Sequence, residues 1–279
     1  MRGAFRAALA LGLAVLICAP GCGVERHLDA AEQALQAHDL VAAEAGFRRV
    51  LEREPASVDA LYGLGWVYHL SGEPQRARDY FQRCTRVAPA DHRGFKGLGS
   101  VALSQETLAQ AINWFEQALV LAPEDPAVLN SLALAYLQGQ DEGRSLEYAQ
   151  RAVAAAPQRG EYGLGEAEAL LRLKRYDDAL AAIKRALDAR VEEARFRALL
   201  FVLRSRVLVA MTGGRLDPAD CAGTVPPLLA YLDRAQAALE RADATGIALS
   251  ELGAARRRVH RRRGYITEQC PGEWGRAPD

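Results

Sequence analysis

Acid–base and metal chemistry need clustered side chains, and the titratable residues of this sequence are dispersed. His27, His38, His69, His92 and His260 share no short spacing, and the adjacent acids Asp177-Asp178 and Glu192-Glu193 fall where a helix start or a solvated surface accounts for them. The glycines form no phosphate-binding loop, and neither a Gly-x-Ser-x-Gly elbow nor a His-Glu-x-x-His helix is present. No two cysteines or histidines stand at ligand spacing within one segment, so no metal and no cofactor is expected. The chemistry left to explain is that of cysteine, of exposed aromatics and of arginine.

Cys22 is the most informative cysteine. Arg2 and Arg6 precede a thirteen-residue apolar stretch, Ala7 to Ala19, followed by Pro20-Gly21-Cys22. A basic start, a short apolar middle and small residues before a break describe an export signal over residues 1–21. As a helix the stretch rises about 20 Å, short of the ~30 Å hydrocarbon thickness. Cysteine directly after Ala19-Pro20-Gly21 resembles the lipobox of bacterial lipoproteins, with Ala19 where that family usually has leucine. The resemblance implies lipidation at Cys22, and Gly23 in place of an aspartate implies sorting to the outer membrane. Ordinary cleavage nearby, giving a soluble periplasmic protein, is the alternative. Cys84 reads as a buried thiol. Cys221 and Cys270 fall in irregular or terminal segments, where an oxidising compartment would let them pair, although spacing does not fix the connectivity.

Half of the 279 residues are hydrophobic and a quarter charged, enough to bury a core, and 35 basic residues balance 35 acidic ones. That balance disfavours a globally basic nucleic-acid binder. Charge is nevertheless uneven: Cys22 to Glu193 carries 19 basic and 26 acidic residues, whereas Ala194 onward carries 14 and 9. The basic pole is Arg256, Arg257, Arg258, Arg261, Arg262 and Arg263, which could meet anionic headgroups or an acidic partner, or simply form a solvated helix end.

The elements that must carry these residues follow from one period. Pro55, Pro89, Pro123 and Pro157 are spaced by thirty-four residues, dividing the chain into windows 24–57, 58–91, 92–125, 126–159 and 160–193. The eighth position is small throughout (Ala31, Gly65, Gly99, Ala133, Ala167), as is the twentieth (Ala43, Ala77, Ala111, Ser145, Ala179). Small residues let paired antiparallel helices approach closely, while Phe47, Phe81 and Phe115 at the twenty-fourth position fill the space towards a neighbouring unit. Each proline stops a second helix, and Gly72 and Gly139 are expected as helix C-terminal caps.

Leu64-Gly65, Tyr68, Ala77, Phe81 and Pro89, then Leu98-Gly99, Ala111, Phe115 and Pro123, resemble the tetratricopeptide repeat family. The resemblance implies an all-α, right-handed α-solenoid of five helix hairpins over residues 22–193. Glu166, where leucine is expected, and Val191, in place of proline, mark the end of regularity. Residues 194–279 read as a helical cap: a helix from Val191 to Met211, a loop from Arg215 to Val225, a helix opened by Pro226, and a last helix over 247–269. In such arrays the first helices line a concave groove that binds a protein partner. The groove positions include Tyr62, Trp66, His69, Arg93, Lys96 and Asn130; the aromatic pair would supply anchors unless a neighbouring helix covers it. The implied protein is a non-enzymatic scaffold, and lipoproteins of this build resemble the pilotins of type IV pilus secretins. A barrel-assembly or cell-wall-synthase regulator is the alternative.

Overall fold

The computed structural model describes residues 21–189, 194–213, 217–246 and 248–271, with side chains from Val24 onward. The expected leader and the Cys22 side chain lie outside the described residues, as do Val191 and the acid pair Glu192-Glu193. Within them the chain is all-α. Ten helices come in pairs: α1 (Gly21–Gln36) with α2 (Leu40–Arg53), α3 (Val58–Leu70) with α4 (Pro74–Val87), α5 (His92–Ser104) with α6 (Leu108–Leu121), α7 (Pro126–Gln138) with α8 (Glu142–Ala155), and α9 (Gly163–Arg172) with α10 (Tyr176–Asp188). Then follow α11 (Ala194–Met211), α12 (Cys221–Asp243) and α13 (Ser250–Gln269). Among the described residues, no helix is long and apolar enough to cross a membrane.

The second helices begin at Leu40, Pro74, Leu108, Glu142 and Tyr176, thirty-four residues apart, and the turns before them share one geometry. His38, Gly72, Glu106, Gln140 and Lys174 adopt φ between 58° and 74°. The next residue donates its N–H five residues back: Asp39 to Ala34 (2.9 Å), Glu73 to Tyr68 (2.8 Å), Thr107 to Ala102 (3.0 Å), Asp141 to Tyr136 (2.9 Å), Arg175 to Leu170 (2.9 Å). This bond ends one helix, and the same residue starts the next: Asp39 and Asp141 accept the N–H groups of Ala42 and Arg144, both at 3.0 Å. Gly139 caps α7 as expected, its N–H donating to the Ala135 carbonyl at 3.0 Å, but with φ −74°; the left-handed residue of that turn is Gln140, whereas at the end of α3 it is Gly72 itself.

The chain divides into two compact units, up to Val101 and from Ala102 onward. In the first, Phe47 and Phe81 are buried against helix backbone. A Cβ at Gly63 would lie 2.3 Å from the Phe47 ring; Cβ atoms at Gly65 and Gly97 would lie 2.4 and 2.3 Å from that of Phe81. The phenylalanine thus occupies space vacated by glycine on its own hairpin and on the following helix. In the second unit Phe115 packs with Ala102, Leu132 and Ala135, and a larger core runs from Leu137 of α7 and Leu146 of α8 through α13, with Ile183, Leu200, Leu208, Leu232, Leu239 and Ile266 among its fully buried members.

Two departures have local causes. Glu166, at a leucine position, is buried and accepts a 2.9 Å bond from Arg185 of α10, which neutralises it. Helix α12 starts at Cys221, five residues before Pro226, so the expected loop is shorter. Asp220 caps the helix by accepting the Gly223 N–H at 3.0 Å, and the Thr224 hydroxyl donates to the Asp220 carbonyl at 2.7 Å. Pro226 and Pro227 sit inside the helix near its N-terminus and forgo their ladder bonds there.

Candidate protein-binding cleft

In the first unit, the expected groove residues form an aromatic cluster. Tyr62 and Trp66, one turn apart on α3, meet edge to face with centroids 6.0 Å apart, and each lies 5.8 Å from the Phe81 ring. His69 stacks edge-on against Trp66 at 5.3 Å, and burial pushes its imidazole below the usual histidine range. All three are half-buried. Lys96 places its ammonium 5.9 Å from the Tyr62 centroid and Arg93 its guanidinium 5.7 Å. Arg93 is engaged further: its terminal nitrogens reach Asp59 at 2.5 Å and Asp91 at 2.7 Å, and its Nε a second bond to Asp91. This network raises the Arg93 pKa and holds the Asp91 carboxyl below the ordinary carboxylate range. Arg93 therefore braces α5 against α3.

Asn130 lies half-buried on α7 in the second unit, its Oδ1 3.4 Å from where a Cβ on Gly165 would stand. The small residue at 165 lets α9 approach that amide. Cys84 is buried, as expected from its position, and burial pushes its thiol pKa up to about 12, which keeps it protonated and unreactive. Cys221 and Cys270 are joined, with Cα atoms 5.7 Å apart, so the first turn of α12 is tied to the end of α13.

The basic run behaves as two groups rather than one patch. Arg256 pairs with Asp243 at 2.8 Å, Arg263 pairs with Asp233, and Arg262 donates to the Thr212 hydroxyl at 3.0 Å and to the Thr212 carbonyl. These three fasten α13 to its neighbours, although Arg256 stays exposed. Arg257, Arg258 and Arg261 are exposed as well.

The second unit also holds a concavity that the repeat pattern does not announce, a cleft of about 280 Å³ between α7, α9, α11 and α13. Its floor is apolar: Leu134 and Leu137 from α7, Leu164 from α9, Leu199, Val202 and Leu203 from α11, Ala254 and Ala255 from α13. Leu134 keeps 38% of its surface exposed. The polar rim comprises Glu168, Arg206, Glu251 and Arg258. Arg206 donates to both oxygens of Glu168, at 2.7 and 2.8 Å, and Arg172 approaches the same carboxylate at 3.7 Å. Arg172 also donates to the Leu137 carbonyl at 2.7 Å, satisfying the end of α7. Leu134, Leu137, Leu164 and Glu168 occupy groove positions of windows four and five. The remaining walls come from helices outside the thirty-four-residue frame. The available sequence signal is the unbroken apolar character of the first three, with no polar residue to suit them to a solvated surface. Among the described residues, no three metal-ligating side chains come together.

The tetratricopeptide repeat family model matches residues 28–92, 72–126, 96–160 and 164–203, well over half the chain. The chain belongs to the tetratricopeptide repeat family. Its matched segments take in the five hairpins and run into α11. No curated protein sequence resembles the chain closely enough to count as a match. Among solved structures, pilF of Pseudomonas aeruginosa shares 18% identity, covering 77% of this chain and 90% of that one, with TM-score 0.59. TTC0263, a tetratricopeptide repeat protein of Thermus thermophilus, shares 20%, covering 64% and 98%, with TM-score 0.59. The Cut9–Hcn1 hetero-tetramer of APC/C shares 16%, covering 85% of this chain and 42% of that one, with TM-score 0.64. At these identities the likeness is one of fold. Arrays of this family generally bind proteins and carry no chemistry themselves, which turns attention to the two surfaces described above.

Proposed function

We propose that the protein is a non-enzymatic scaffold that binds another protein through the cleft between α7, α9, α11 and α13. The observation that carries this reading is the cleft itself: an open, apolar floor on groove positions of the repeats, rimmed by a few fixed polar groups. Such a floor gains free energy when an apolar side chain displaces water from it, at about 25 cal/mol per Å² covered. The Tyr62–Trp66 face, flanked by His69 and Lys96, is a second contact surface in this proposal, with Asn130 on α7 a further contact.

The scaffold is placed outside the cytoplasm, anchored through a lipid on Cys22 to the periplasmic face of the outer membrane. The residue pattern from Arg2 to Cys22 supports this, and so does the Cys221–Cys270 bond, since such bonds persist in oxidising compartments. Within the envelope, assembly of a pilus secretin is the task that the pilotin resemblance and the fold likeness to pilF favour.

A photo-crosslinking amino acid at Leu134, introduced into the full chain in intact cells, tests the binding role. A discrete protein adduct that disappears when Ala254 is enlarged to Phe is expected; adducts to lipid only, or none, would overturn the reading. Radioactive palmitate should label the wild type and not Cys22→Ala, and equal labelling of both would remove the anchor.

A further inference from the structure

The rim of the cleft carries two acids and two arginines, Glu168, Arg206, Glu251 and Arg258, which differ in how they are paired. Glu168 is neutralised by Arg206 and Arg172, and three arginines of the basic run are consumed by Asp243, Asp233 and Thr212. Arg258 lines the cleft, and Arg261, one turn further along α13, shares its stripe. Both are exposed, Arg257 stands beside them, and among the described residues none of the three has a carboxylate partner. Glu251, two turns before Arg258, is the one acid on this wall, and it lies at the opposite end of the rim. An apolar hollow therefore opens with unpaired positive charge at one end of its rim, from Arg258 towards Arg261, and the Glu251 carboxylate at the other.

Resting on the scaffold reading, we infer that the occupant is an acidic amphipathic segment of a protein partner. One large apolar side chain enters the hollow, and carboxylates on its flank meet Arg258 and Arg261. The size agrees: a cavity of about 150 Å³ holds a benzene ring, so 280 Å³ accepts an aromatic ring together with an aliphatic neighbour. The sign agrees as well, because a segment carrying acids beside its anchor gains from both features, whereas a basic one is repelled by the arginines. Glu251 sets direction, keeping the acidic end of the segment towards Arg261. A lipid surface suits this wall less. On α13 Leu252, Ala255, Val259 and Ile266 are buried and Tyr265 is the large apolar residue left exposed, so the helix offers no broad apolar face for insertion. The charged wall belongs to α13, outside the repeats, and the contact thus differs from one made by repeat helices alone.

The test uses the full chain and two fluorescent peptides of equal length, each with a central Leu-Phe pair. One carries glutamates around that pair, the other lysines in the same places; vesicles containing phosphatidylglycerol serve as a third probe. Anisotropy should report binding of the acidic peptide, weakening with added salt and falling roughly tenfold or more in Arg258→Glu/Arg261→Glu. Those arginines are exposed, so the variant keeps its fold. Ala254→Phe, which fills the hollow without touching charge, should abolish binding at unchanged helical content. Equal binding of the lysine peptide, indifference to the arginine reversals, or arginine-dependent binding to vesicles with none to the acidic peptide would each overturn the inference. The crosslink at Leu134 separates the two levels: a protein adduct through a non-acidic segment sinks this inference alone, whereas no protein adduct sinks the scaffold reading with it.

Discussion

Arg206 and Glu168 form a two-pronged ion pair, with N–O distances of 2.7 and 2.8 Å, across thirty-eight residues of sequence. Glu168 stands on α9, the first helix of the last regular hairpin, and Arg206 on α11, the first helix outside the period. The Glu168 side chain keeps 16% of its surface exposed, so the pair works in a partly dry setting where the fork geometry adds direction as well as energy. It ties α11 to α9 along the cleft that both residues line.

Replacing Arg206 by Ala should cost about 1–2 kcal/mol, because Glu168 keeps only the more distant Arg172 as compensation. The double variant Glu168→Ala/Arg206→Ala should lose less than the sum of the singles. A double-mutant cycle read by chemical denaturation checks this, and strict additivity would show that the two groups are not coupled.

Phe81 lies between Gly65 and Gly97, each of whose Cβ positions is within 2.4 Å of the ring. Gly97→Ala should therefore destabilise the first unit by roughly 1–3 kcal/mol through overpacking. Phe81→Leu alone should also destabilise, by leaving a void. Combining the two should recover part of the loss, and a melting temperature below both singles would refute this account of the contact.

The five left-handed turn residues separate glycine from its substitutes. Gly72 has φ 74° and open space around its Cβ position, so Gly72→Ala should cost about 1 kcal/mol from backbone strain alone. Gln140, at φ 60°, bears that strain in the native chain, and Gln140→Gly should stabilise by up to about 1 kcal/mol. Gly139→Ala should change little by comparison, since its φ is −74°. Thermal melts of the three variants decide the order.

The Cys221–Cys270 bond joins residues 49 apart in sequence and closes a loop that contains all of α12 and all of α13. By chain entropy its loss should cost up to about 4 kcal/mol. Cys221→Ser/Cys270→Ser should lower the melting temperature in the absence of reductant, and a dithiol reductant should lower that of the wild type alone. A wild type indifferent to reductant would mean that the three ion-pair and hydrogen-bond ties of α13 hold it without the bond.

Sequence alone determined the all-α class, the thirty-four-residue beat and the burial of the small and aromatic positions. Each hairpin rests chiefly on its neighbours, so the packing demand repeats with the sequence and shows as periodicity. Glu166 broke that pattern visibly, and only its contact with Arg185, nineteen residues on, explained how a carboxylate could be buried there. The fate of the arginine run was beyond sequence, because six similar residues on one helix divide according to which find a partner on α12 or at Thr212 and which do not. The cleft was likewise decided in three dimensions. Its walls join repeat positions to helices with no period, and a concavity assembled from segments that far apart leaves no local pattern in the chain that builds it.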